Sequence, residues 1–85
     1  MVERKFVFKG EKGLNAEMAT QFVQIASKYT SRIMIIYEDK EVNAKSIMSL
    51  LALAIAPGDE FIIRARGEDE ECALKDLARF IENSG

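Results

Sequence analysis

An 85-residue chain with twelve basic and fourteen acidic side chains has room for one hydrophobic core. Its net charge of -2 gives no general attraction to nucleic acid or to an anionic membrane surface, so no direct nucleic-acid partner is expected. Hydrophobic residues at 48% and charged residues at 31% lie outside the regime of disordered chains, and residues 1–85 are expected to fold as one domain.

The start, Met1-Val2-Glu3-Arg4-Lys5, lacks the apolar stretch and small-residue cleavage site of an export signal. Phe6 and Phe8 alternate with Lys5 and Lys9 around Val7, which predicts a first strand with one buried face. Ala16, Ala19, Phe22, Val23 and Ala26 then recur at helical spacing, with Glu17, Gln21, Gln24 and Lys28 on the other side. The β-branched run Ile33–Tyr37, a polar turn at Glu38-Asp39-Lys40 and the segment Glu41-Val42-Asn43 predict a hairpin. Ser46 precedes Ile47–Leu53 as an N-cap precedes a short helix. The apolar run Ile47–Pro57 is far shorter than the roughly 20 residues of a membrane span, so no membrane insertion is expected.

Pro57-Gly58 marks a turn, after which Phe61, Ile63 and Ala65 alternate with Ile62, Arg64 and Arg66 in a fourth strand. Gly67 ends it, and Glu68-Asp69-Glu70-Glu71 opens a third helix whose stripe is Ala73, Leu74, Leu77, Ala78 and Ile81. Four adjacent acids there read as a solvated turn complementing the helix dipole and not as a metal site. Cys72 is the only cysteine, so no intramolecular disulfide can form. It is expected to be a small buried residue of that helix, in a protein of the reducing cytoplasm. The order βαββαβα predicts an α+β open-faced sandwich, a four-stranded antiparallel sheet with three helices on one face. No His/Cys/Asp cluster, glycine-rich phosphate loop or metal-ligand spacing occurs, so neither an enzyme, a metal nor a cofactor is expected.

Three stretches resemble the HPr family of the bacterial sugar phosphotransferase system. Gly13-Leu14-Asn15-Ala16-Glu17-Met18-Ala19 is similar to the family's active-site segment Gly-Leu-His-Ala-Arg-Pro-Ala, with three of seven positions changed. Val42-Asn43-Ala44-Lys45-Ser46-Ile47-Met48-Ser49-Leu50 is close to the family's regulatory-serine segment, and Ala65 to Leu74 resembles its acidic strand-to-helix junction. The resemblance implies the HPr-like fold. It also implies descent from a phosphoryl relay in which a histidine takes phosphate from enzyme I and passes it to sugar-specific IIA proteins.

That relay needs a nucleophilic imidazole, and this chain has Asn15 in its place and no histidine anywhere. The amide nitrogen's lone pair is delocalised into the carbonyl and cannot accept and release a phosphoryl group. Glu17 sets a carboxylate where the family's arginine offers positive charge to phosphate oxygens, and Met18 replaces the proline that sets the helix entry. Asn15 and Glu17 have two readings: an N-cap with a dipole-complementing acid, or an altered partner-binding surface.

Ser46 likewise either only caps its helix or is a regulatory phosphorylation site, with Lys45 a nearby cation and Ile47, Met48 and Leu51 a docking patch or partly core. In Gram-positive members of the family a bifunctional HPr kinase/phosphorylase modifies this serine, and the phosphoprotein then acts as corepressor for a catabolite control transcription factor. The catabolite-repression HPr-like branch lacks the histidine and keeps the serine, usually with glutamine where this chain has Asn15. The resemblance therefore implies a non-catalytic regulatory protein switched at Ser46. The alternative is a decoy that contacts enzyme I or IIA proteins without relaying phosphate, for which the apolar face of the first helix counts in favour and Glu17 against.

Overall fold

A computed structural model of the chain describes residues 1–9 and 13–83. Its elements run β1 (Val2–Val7), α1 (Ala16–Ala26), β2 (Arg32–Tyr37), β3 (Lys40–Asn43), α2 (Ile47–Leu53), β4 (Glu60–Arg66) and α3 (Glu70–Asn83). The sheet order is β1-β4-β2-β3 with every neighbouring pair antiparallel, the four-stranded open-faced arrangement that the periodicities predict.

Register explains why strand alternation reads so clearly. Phe6 lies opposite Phe61, and Ile33 and Ile35 lie opposite Ala65 and Ile63, so the centre of one face of the sheet is hydrocarbon, with Arg4 and Lys40 on its outer strands. The Phe61 ring stacks against Phe8 at 4.9 Å and Phe6 at 6.0 Å between centroids. Onto that face α1 brings Ala19, Phe22 and Ala26, α2 brings Leu50 and Leu53, and α3 brings Ala73, Leu77, Ala78 and Ile81. Small residues on α1 and α3 let these helices approach closely while Phe22 fills the space between them.

Three expectations need correction. Lys40 opens β3 instead of completing the turn, because Glu38 adopts φ 56° and closes the hairpin in two residues. Cys72 is exposed: on α3 the buried positions are 73, 77, 78 and 81, and Cys72 falls on the solvent side of that stripe. The acids at 68 to 71 do not form a merely solvated turn. Asp69 reaches back across the chain to accept hydrogen bonds from the backbone N–H of Thr30 and of Ser31, both at 2.9 Å, and from the hydroxyls of Thr30 and Ser31. Glu70 accepts from the Gly67 N–H and pairs with the Met1 ammonium. Two of the four carboxylates thus serve separate structural partners.

The Asp69 clamp ties the head of β2 to the end of β4 and the start of α3. Chiefly through the Ser31 hydroxyl, and then the Thr30 N–H, it draws the Asp69 pKa from 3.8 down to about 2. The folded state therefore holds the ionised form more tightly than the unfolded chain does. That contribution is fully present above the unfolded value and is lost as pH falls through about 2. The stability gap between wild type and Asp69→Asn, measured by urea denaturation, is expected to narrow steadily from about pH 5 to about pH 2. A gap that stays constant over that range would show that the carboxylate's charge is not what the clamp uses.

Candidate functional site

Two segments singled out by sequence meet around α2. The first is the head of α1. Leu14 is buried and its N–H donates to the Ile55 carbonyl at 3.0 Å, which pins the segment beside the end of α2. Asn15 follows in extended conformation, and its Oδ1 accepts the Met18 N–H at 2.9 Å while its carbonyl accepts from Ala19. The side chain is thus the N-cap of α1, satisfying an amide that the helix leaves without a partner. Glu17 is exposed in the first turn, where its charge complements the helix dipole, and no described residue gives it an ion pair.

The second segment is the head of α2. Asn43 folds its Oδ1 onto the Lys45 N–H at 2.9 Å, and the Ser46 N–H donates to the Asn43 carbonyl at 3.2 Å, so a tight turn delivers the chain into the helix. Ser46 Oγ accepts the Ser49 N–H at 3.3 Å, the capping role that its sequence context predicts. The Lys45 ammonium is committed to the Tyr29 carbonyl at 2.7 Å. Of the three apolar residues that follow, Met48 is 79% exposed and Ile47 38%, whereas Leu51 is partly buried and packs against the core.

The structure places both segments beside α2, at opposite ends of a helix roughly 10 Å long, and among the described residues no hydrogen bond joins them. Of the apolar stripe of α1, Ala19, Phe22 and Ala26 are wholly buried, Val23 is partly buried and Ala16, in the first turn, is exposed. Two tyrosine–carboxylate pairs escaped sequence reasoning. Tyr37 donates to Asp59 at 2.6 Å, and Asp59 also accepts the Ala56 N–H, fixing the turn that follows α2. Tyr29 donates to Asp76 at 2.6 Å, joining the end of α1 to α3, a bond that pushes its phenol up to about 12.

Sheet order, helix placement and the two capped helix heads define an open-faced α+β sandwich. A protein-family model described as the PTS HPr component phosphorylation site matches residues 2–83. The chain is 43% identical over 82 residues to the HPr-like protein Crh of Bacillus subtilis, covering 96% of each. To the phosphocarrier protein HPr of Borreliella burgdorferi it is 39% identical over 83 residues, covering 98% of this chain and 96% of that one. The crystal structure of HPr-C-His from Thermoanaerobacter tengcongensis superposes with a TM-score of 0.94 at 42% identity, over 98% of this chain and 93% of that one. A crystal structure of Bacillus subtilis Crh, described as a dimer with a swapping domain, superposes with a TM-score of 0.78 at 42% identity, over 98% and 95% of the two chains. The chain belongs to the HPr family.

Proposed function

We propose that this chain, as one domain over residues 1–85, is a non-catalytic regulatory protein of the cytoplasm that acts by binding and is switched by phosphorylation of Ser46. The observation that carries the reading is the occupant of the family's histidine position. Asn15 spends its side-chain oxygen on the Met18 N–H, and its amide nitrogen is no nucleophile. With no histidine in the chain, a relay has no phosphoryl acceptor at that position.

Ser46 keeps its chemistry. Its hydroxyl lies at a helix head next to exposed Ile47 and Met48, and a phosphate there would add up to two negative charges beside an apolar patch. A partner reading that patch would gain charge-assisted hydrogen bonds from its own basic residues. The partners that fit are an HPr kinase/phosphorylase and a catabolite control transcription factor, through Asn15, Glu17, Lys45, Ile47, Met48 and Leu51. The alternative is a decoy that contacts enzyme I or IIA proteins of the phosphotransferase system; the α1 stripe supports it less than its sequence suggests, since Ala19, Phe22 and Ala26 are spent in the core and only Ala16 and part of Val23 remain at the surface.

Incubation with HPr kinase/phosphorylase and ATP, followed by peptide mapping, is expected to place the phosphate on Ser46 and to yield none with Ser46→Ala. An unlabelled Ser46, beside a histidine-containing family member labelled in parallel, would leave this serine as a helix cap and put the decoy reading first.

A further inference from the structure

The open face of the sheet, opposite the helices, carries seven charged side chains on its strands, and five of them are paired. Arg64 bonds to Glu3 at 2.8 Å and to Glu41 at 3.1 Å, and Lys5 pairs with Glu60 at 3.6 Å. The remaining two are Arg32 and Arg66, which face each other directly in the β2–β4 register and have no carboxylate within ion-pair distance among the described residues. Like charges directly opposite on a sheet are destabilising, so this pairing opposes folding unless an anion sits between the two.

A hollow of about 250 Å³ lies at that place, lined by both arginines, Arg64, Met34, Met1 and Glu41. We propose that Arg32 and Arg66 form a phosphate-binding site on this face, taking inorganic phosphate or a small phosphomonoester. Each guanidinium presents a planar fork of donors that matches two phosphate oxygens, and two forks on opposite strands can hold one tetrahedral anion from both sides. The charge of Arg64 is taken up by Glu3 and Glu41, so the attraction for an anion rests on Arg32 and Arg66, and Arg64 can add only a donor left free of those glutamates. Glu41 is held by Arg64 at the far side of the hollow, which leaves the anion at the Arg32–Arg66 end. Glu70 attracts Arg66 from beyond the strand, but its carboxylate is occupied by the Met1 ammonium and the Gly67 N–H. The volume falls below the roughly 300 Å³ at which pockets begin to hold larger ligands, which selects a small anion over a nucleotide. This face lies across the sheet from α1 and α2, so the site is independent of Ser46.

The test is a thermal-shift and NMR titration of the intact chain with sodium phosphate and with glycerol phosphate, at constant ionic strength. Wild type is expected to show a saturable rise in Tm with shifts centred on the Arg32 and Arg66 Nε–H signals. Arg32→Gln and Arg66→Gln are each expected to weaken binding about tenfold or more. In phosphate-free buffer both variants should be at least as stable as wild type, because the like-charge pair is gone. The arm with the tighter response assigns the source, free phosphate or phosphomonoester. Equal rises in wild type and variants would mean general salting effects, and no rise would mean no site; either result overturns the proposal.

Discussion

Incubated with phosphoenolpyruvate and enzyme I, the protein is expected to gain no acid-labile phosphate, and Asn15→His alone is expected to restore transfer only feebly. The double variant Asn15→His/Glu17→Arg should transfer about a hundredfold faster than the single one, since a reversed charge at an interface costs several kcal/mol and each 1.4 kcal/mol is about tenfold in rate. Two features of the α1 head set this expectation. Glu17 is exposed and free of any described ion pair, so its full negative charge meets an incoming phosphoryl group. Asn15 also caps α1 through Met18, and a residue that caps less well there loses roughly 0.5–2 kcal/mol of helix stability. Intact-mass measurement under alkaline conditions reads the outcome. A phosphorylated wild type would refute the regulatory reading, and equal transfer by the single and double variants would show that residue 17 is immaterial.

The fold was legible because its signals are local and repeated. Phe6 and Phe8, or Phe61, Ile63 and Ala65, alternate at the period of a pleated strand, and every one of them is buried. The helix heads were legible too, since Asn15 and Ser46 are cap-forming residues with nothing else to do locally and both accept the amide three residues on. The acidic run was misread because its purpose is non-local: Asp69 serves Thr30 and Ser31, 39 and 38 residues earlier, and no periodicity encodes that partner. Cys72 was misplaced for a geometric reason. Its neighbours Ala73 and Leu74 are apolar, but on a helix adjacent residues point about 100° apart, so a neighbour's burial says nothing of its own. The opposed arginines were equally hidden, because the β2–β4 register that sets Arg32 against Arg66 exists only once the sheet has formed.

Gly67→Ala is expected to be among the most destabilising single-methyl additions in the chain, costing about 3–5 kcal/mol against the 5–15 kcal/mol typical of a whole domain. Gly67 has φ +153°, a conformation that side chains rarely tolerate, and a Cβ built there lies 2.6 Å from Ser31 Oγ and 2.8 Å from Ser31 Cα. Ser31 cannot retreat, being 1% exposed and held by Asp69 through both its N–H and its hydroxyl. Backbone strain of about 1–3 kcal/mol therefore adds to the loss of clamp hydrogen bonds at about 1 kcal/mol each. Gly58→Ala is the matched control: its φ is +88°, yet nothing lies within 4 Å of the added carbon, so it incurs the strain without the collision. In urea denaturation both variants should keep the wild-type m-value, with the midpoint of Gly67→Ala falling well below that of Gly58→Ala. Equal losses in the two would mean that backbone conformation alone sets the cost, and that the contact between the β4 end and Ser31 contributes nothing to holding the strand and α3 together.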